Sequence, residues 1–283
     1  MISLFDGTRR RLAVTFNGLT LNNPSDVSDD TYELNTVAGM TVVDAIAELR
    51  PEGDGMEVYD ARKVSRLVRI EGVIRAPTLA RFYDKVKLLA KTFDPALVSL
   101  NNPTVNGFLA LDFTVLTEDD ATYPDGLVLS RYYCRPRTLV EPIDSQYSGT
   151  ASAFNIELQL RDPRRYLQTT TSLAGTGTAA NTRADYPSFP TVTITATGAG
   201  SATYSVANTT LGKTLTLNLS GLVNNDVVVV DMEKKSITKN GTATPSLYVS
   251  GDYWRLDPGN NTVTVSNPTN VTTATVWRPA FCL

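Results

Sequence analysis

The chain has 283 residues, 42% of them apolar and 19% charged, a balance that belongs to globular domains and not to a disordered or membrane-embedded chain. Its 26 basic residues stand against 29 acidic ones, a formal charge of −3, so nothing in the net charge drives it toward nucleic acid. Histidine is absent, which removes Ser-His-Asp and Cys-His catalysis, histidine-held zinc and any side chain that titrates near neutrality without perturbation. The length suits two domains. No run approaches the roughly eighteen apolar residues of a membrane span. The start, Met1-Ile2-Ser3-Leu4-Phe5-Asp6-Gly7, lacks the basic and long apolar regions of a signal peptide, so the chain is expected to fold in a cytoplasm.

Thr8-Arg9-Arg10-Arg11 opens the chain with a short basic cluster. Leu12 to Leu21 then alternates around Asn17-Gly18, a hairpin or turn signal. Val42 to Arg50 reads as either strand or helix, and the acidic, Gly-rich Pro51 to Gly55 as a connection. Ser65 to Ile74 has the pattern of a strand. Pro77 precedes the one long helix the pattern supports, Thr78 to Lys91, with Leu79, Phe82, Tyr83, Val86, Leu89 and Ala90 at three-and-four spacing. Thr78 is its N-cap and Asp94-Pro95 follows its stop. Strands follow at Phe108 to Leu116, Leu127 to Pro136 and Phe154 to Leu160, the last alternating cleanly before Arg161-Asp162-Pro163-Arg164-Arg165-Tyr166.

Residues 169 to 185 are small, polar and aperiodic, the composition of a linker or a long surface loop. The domain division is placed there, giving an N-terminal domain of 1–168, a linker of 169–185 and a C-terminal domain of 186–283. Downstream, strands are expected at Thr191 to Ala196, Thr214 to Leu219, Val227 to Asp231, Leu247 to Val249, Tyr253 to Leu256, Thr262 to Val265 and Thr273 to Trp277, which together make a β-sandwich. Between them, Asp231 to Gly241 reads as strand, turn and strand with Asn240-Gly241 at a second turn, its lysines suited to an exposed edge. Asp257, Pro258, Gly259 and Asn260 form a tight turn between the Tyr253 strand and its return strand. Thr275-Val276-Trp277-Arg278-Pro279-Ala280-Phe281-Cys282-Leu283 supplies a closing strand.

The order of these segments resembles the distal tail proteins (Dit) of long-tailed phages. The resemblance rests on Phe16-Asn17-Gly18, the strand and helix from Ser65 to Lys91, the turn of Asp162, Pro163 and Tyr166, the Pro258-Gly259 turn and the closing Trp277-Arg278-Pro279-Ala280-Phe281. It implies a mainly β protein with one notable helix: an N-terminal β-sandwich or α+β ring domain, then a galectin-like or carbohydrate-binding-module-like β-sandwich. It further implies a homo-hexameric ring at the phage tail tip, assembled in the host cytoplasm. Such a ring joins the tail-tube protein to a tail-tip or baseplate hub protein and to receptor-binding proteins, with DNA passing through its lumen without specific binding and no membrane involved. A cyclic ring needs two different patches on each subunit, expected within residues 1 to 168.

Candidate subunit contacts are Arg9, Arg10, Arg11, Arg131, Arg135 and Arg137, which match acidic stretches such as Glu118-Asp119-Asp120 on a neighbour and are equally accounted for as solvated charge. No catalytic residue, cofactor or metal is expected. Glu118 to Asp120 and Asp125 lie close in sequence, and Asp226 and Asp231 flank Val227 to Val230, but sequence neighbours do not hold two carboxylates across a sugar. The rival reading is a carbohydrate-binding or adhesion protein of the virion. Tyr248, Tyr253, Trp254 and Trp277 are the aromatic candidates; alternation turns Trp254 inward and leaves Tyr253 as the possible glycan contact. Cys134 and Cys282 lack metal-site spacing, and both a long-range disulfide and two separate thiols fit them.

Overall fold

The computed structural model describes residues 13–23, 30–49, 56–102, 108–116, 127–140, 149–161 and 164–281. The chain divides into two compact units, Met1–Arg165 and Tyr166–Leu283, and it is mainly β, as its sequence implies.

In the first unit, β1 (Val14–Phe16) and β2 (Leu19–Leu21) close on Asn17-Gly18, both with positive φ, the backbone a two-residue hairpin demands and glycine and asparagine supply. Two long strands follow, β3 (Thr31–Leu49) and β4 (Met56–Arg75), which settles the ambiguous stretch from Val42 as strand. After helices α1 (Leu79–Phe93) and α2 (Pro95–Asn101) come β5 (Leu109–Leu116), β6 (Leu127–Val140) and β7 (Ala151–Leu160). All seven strands form one antiparallel sheet in the order β2-β1-β5-β6-β7-β4-β3. Of the two architectures expected for this half, the structure has α+β: one sheet with helices on one face and not a pair of sheets.

Strand alternation and helix period meet in one core. Phe16, Leu34, Ile70, Leu111, Tyr132, Phe154, Ile156 and Leu158 point from the sheet onto Phe82, Leu89 and Phe93 of α1, and Phe16 stacks on Phe93 at 5.1 Å. Thr78 caps α1 as its sequence predicts, its hydroxyl accepting from the Arg81 N–H at 3.3 Å. The expected apolar face is rotated: Phe82, Leu89 and Phe93 are buried, while Leu79 and Tyr83 lie at its rim and are more than half exposed. Asp94 ends α1 and starts α2, whose first N–H groups it holds through Ala96 at 2.7 Å and Leu97 at 3.0 Å.

The second unit opens with β8 (Arg165–Leu167), β9 (Thr171–Ala174) and β10 (Gly177–Asn181). Residues 169–185 are therefore not a linker. The remaining strands are β11 (Thr191–Ala196), β12 (Tyr204–Asn208), β13 (Lys213–Leu217), β14 (Val227–Asp231), β15 (Ser236–Lys239), β16 (Thr242–Ala243), β17 (Tyr248–Gly251), β18 (Gly259–Ser266), β19 (Val271–Trp277) and β20 (Ala280–Phe281). Apart from β8 and β20, which pair with each other, these strands form a five-stranded sheet, β10-β18-β12-β13-β17, and a six-stranded sheet, β16-β15-β14-β11-β19-β9. The inward residues of both sheets, among them Val192, Ile194, Tyr204, Val206, Leu215, Val228, Val230, Val263 and Trp277, make one core.

Tyr253 to Leu256 is not a strand. Its one β-bridge joins Leu256 to Ser188, and β18 pairs with β10 and β12. Side chains hold it instead. Buried Asn261 accepts from the Asp257 N–H at 3.1 Å and donates to the Asp257 carbonyl at 2.7 Å, bracing the Pro258-Gly259 turn. Buried Asn208 donates to the Arg255 carbonyl at 2.8 Å, and buried Asn181 to that of Leu256 at 3.2 Å.

Candidate interaction surfaces

The expected contact arginines separate into three groups. Arg9, Arg10 and Arg11 lie outside the described residues, as do Glu118 to Asp120 and Asp125. Arg131 is engaged within its own sheet: its guanidinium donates to both carboxylate oxygens of Asp112 on β5, Nε to Oδ1 at 2.6 Å and Nη2 to Oδ2 at 2.7 Å. These hydrogen bonds raise its already high pKa. Arg135 reaches Gln159 Oε1 on β7 at 3.2 Å and covers the Phe108 ring at 5.1 Å. Arg137 is exposed.

These pairs belong to a pattern on the sheet face away from the helices. Arg69 donates to Glu157 across β4 and β7 at 2.7 Å, and Arg75 to Glu33 across β3 and β4 at 3.0 Å. Opposite charges placed across paired strands, directly for Arg69–Glu157 and Arg131–Asp112 and diagonally for Arg75–Glu33, stabilise the pairing modestly and leave the face close to neutral.

Beside α1, Asp30 sits in an open cleft lined by Arg81, Asp84, Lys85 and Leu88. Burial pushes its carboxyl pKa up, but hydrogen bonds and charge from Lys85 and Arg81 outweigh this, and the net shift is downward. Lys85 lies over the Tyr32 ring at 4.5 Å, and the Tyr32 hydroxyl donates to the Lys85 carbonyl at 2.9 Å. The cleft's cations are thus spent bracing α1 against β3.

The helices also carry an exposed apolar surface: Leu79, Tyr83 and Leu88 on α1, Leu97 and Leu100 on α2, with Leu100 74% exposed. A second feature lies at the other end of β3 and β4. These strands pair from Thr31↔Arg75 to Leu49↔Met56, but β7 accompanies β4 only from Arg75 to Leu67. Among the described residues, β4 from Met56 to Arg66 has β3 as its one partner, so the hairpin continues past the sheet as a two-stranded ribbon.

In the second unit, Trp254 and Trp277 are core residues, so neither offers a sugar platform. Tyr248 and the partly buried Tyr253 remain at the surface with their rings stacked. Asp226 and Asp231, weighed as catalytic carboxylates, are structural. Asp226 takes Lys239 Nζ at 2.8 Å, the Val223 N–H at 2.8 Å and Asn240 Nδ2 at 2.8 Å, which pull its pKa down to about 2. Asp231 caps the turn before β15 through the N–H groups of Glu233 and Lys234. Among the described residues no cluster of three or more acidic or cysteine side chains is placed to hold a metal, and no helix is long and apolar enough to cross a membrane. Cys134 is a free thiol buried in the first core, where burial pushes its pKa up. Cys282 lies outside the described residues.

The closing motif is a clasp. Trp277 fills the core, Arg278 donates to the Leu167 and Gln168 carbonyls, and the Pro279 carbonyl accepts from the Leu167 N–H. The buried Ala280 N–H donates to Ser188 Oγ at 3.0 Å. Sequence reading identified these residues as a motif without showing that they tie the first strand of the unit to its last.

Residues 183–281 match the family described as siphovirus-type tail component, C-terminal domain. That match lies within the second unit. Over 95% of this chain and 99% of the other, the fold is similar to that of the Dit protein (gp 19.1) of phage SPP1, with a TM-score of 0.63 at 15% identity. That protein is described as a paradigm of the hub adsorption apparatus in phages infecting Gram-positive bacteria. A chain of the phage p2 baseplate in its activated conformation with Sr is more distantly similar, with a TM-score of 0.45 at 7% identity, covering 94% of this chain and 97% of that one. A search of curated proteins finds no match.

Proposed function

We propose that this chain is the ring-shaped hub of a phage tail tip: a homo-hexamer built by the first unit, with the sandwiches as appended modules. One ring face meets the tail-tube protein, the other the tail-tip or baseplate hub protein and receptor-binding proteins. The observation that carries this reading is the ribbon of β3 and β4. A two-stranded ribbon outside a sheet is marginally stable alone, because too little apolar surface is buried, and a neighbouring subunit supplies the missing layer. Ring closure also requires a second, different patch, and the apolar surface of α1 and α2 supports that half of the contact. Arg137, exposed on β6, makes charge-assisted contacts with acidic loops of a neighbour, and Arg9 to Arg11 are assigned the same role from the sequence. DNA passes the lumen without specific binding, a role that suits a chain of slightly negative charge whose Arg69 and Arg131 are paired with carboxylates of the same sheet.

Light scattering on the full chain and on the fragment 166–283, each over a concentration series, tests the reading. A six-fold mass for the full chain with a monomeric fragment supports it. Deleting residues 43–64 and introducing Leu100→Glu should each abolish the higher mass. A ring whose mass is unmoved by both changes would remove the ribbon and helix surfaces from the interface.

A further inference from the structure

We propose that Asn17 is a site of spontaneous deamidation to aspartate and isoaspartate, and that Asn240, in a turn of the same geometry, is held back from the same reaction by its side-chain hydrogen bonds. The proposal concerns each hairpin by itself and does not depend on ring formation. The pair Asn-Gly occurs at 17–18, 106–107 and 240–241, and the first and last of these lie within the described residues. Both close two-residue hairpins: Phe16 faces Leu19 across the first, and Lys239 faces Thr242 across the second. Their backbones nearly coincide, with φ of 46° and 81° at Asn17 and Gly18 and of 50° and 81° at Asn240 and Gly241. All four residues are exposed, and the space around the two glycines is equally open.

Deamidation requires the backbone nitrogen of the following residue to reach the asparagine side chain, and glycine lacks the Cβ that would shield that nitrogen. The Gly18 nitrogen attacks Cγ of Asn17 and loses its proton to solvent, the side-chain nitrogen leaves as ammonia, and a cyclic succinimide forms. Water then opens the ring at either carbonyl, giving aspartate, or isoaspartate with the backbone routed through the former side chain. The net change consumes a water and releases an ammonia, with no change of oxidation state. Side chains separate the two sites. Among the described residues the Asn17 side chain has no hydrogen-bond partner, so it is free to turn onto Gly18. Asn240 is latched at both ends: its Oδ1 accepts from the Val227 N–H at 2.8 Å, and its Nδ2 donates to Asp226 Oδ1 at 2.8 Å. Asp226 is itself buried and paired with Lys239. Swinging Cγ of Asn240 onto the Gly241 nitrogen breaks both bonds, one of them to a charged carboxylate. An isoaspartate at position 17 lengthens the loop that sets the register of β1 and β2, and the strain falls on Phe16, which is buried and stacked on Phe93.

The test is peptide mapping by mass spectrometry on the full-length protein, aged at physiological temperature in mildly alkaline buffer, with enzymatic methylation of isoaspartate to distinguish the two products. The expected result is conversion at Asn17, with isoaspartate among the products, about tenfold or more faster than at Asn240. In guanidinium both turns are lost and the two sites should convert at similar rates, which assigns the difference in the folded protein to the latch. Asn17 remaining intact in the folded protein while the denatured chain converts overturns the site. Conversion of Asn240 as fast as Asn17 in the folded protein overturns the latch. A rate ratio in guanidinium equal to that of the folded protein overturns it as well, because the difference would then lie in the neighbouring sequence.

Discussion

At the scale of single residues, the second unit is specified by buried polar groups as much as by its apolar core. Tyr204 is completely buried, and its hydroxyl meets Thr273 Oγ1 of the opposite sheet at 2.7 Å. Tyr204→Phe leaves the threonine hydroxyl buried and unpaired, at a cost of about 1–3 kcal/mol. Adding Thr273→Val should recover most of that loss, so urea denaturation of the singles and the double reports a positive coupling. Burial pushes the Tyr204 pKa up to about 12, against a smaller downward pull from Thr273. Its stabilisation is therefore complete below pH 10 and is lost as the pH rises through about 12. Asp226 has the opposite sign: a carboxyl lowered from 3.8 to about 2 stabilises the fold above pH 3.8, and this contribution vanishes as the pH falls through about 2. Asp226→Asn should be less stable near neutrality and should flatten the acid limb of the unfolding curve in that window. An acid limb identical to wild type would mean that Lys239 and Asn240 do not sense the charge.

At the scale of elements, what the sequence revealed was whatever repeats with a period. The helix at Thr78, the alternation of Phe154 to Leu160 and the Val227 to Asp231 strand were readable because large apolar residues mark their buried faces. β9 and β10 were not, because Thr171 to Asn181 contains glycine, alanine and threonine with little large apolar content. Ala179 is nonetheless wholly buried on the edge strand β10. Tyr253 to Leu256 failed for the converse reason. It alternates like a strand, but its backbone is satisfied by buried asparagines that no periodicity announces. For the expected contact arginines the spacing is silent on partners: nothing in it says that Arg131 sits across from Asp112. The two-helix unit adds a further expectation. Asp94 caps α2 and terminates α1, so Asp94→Ala should cost about 0.5–2 kcal/mol, more than Thr78→Ala with its longer 3.3 Å bond. Chemical denaturation of both variants checks the ranking.

At the scale of the whole molecule, where the second unit begins is a physical claim about which backbone groups need partners. A fragment starting at Tyr186 deletes β9 and β10, which uncovers the pairing edge of β18 from Gly259 to Val263 and that of β19 from Ala274 to Trp277. It also removes Asn181, whose amide serves the Leu256 and Asp257 carbonyls and whose oxygen accepts from Ser188. Ser188 in turn receives the Ala280 N–H that anchors the closing strand. Each buried group stranded by this deletion costs about 1–3 kcal/mol, against a whole-domain stability of about 5–15 kcal/mol. Removing the strand edges and this network together should therefore exhaust it. The fragment 166–283 should melt in one cooperative transition, and 186–283 should show none, as read by near-ultraviolet circular dichroism and amide dispersion. If 186–283 melted cooperatively at the same temperature, residues 169–185 would be a linker after all, and the sandwich would be complete without β9 and β10.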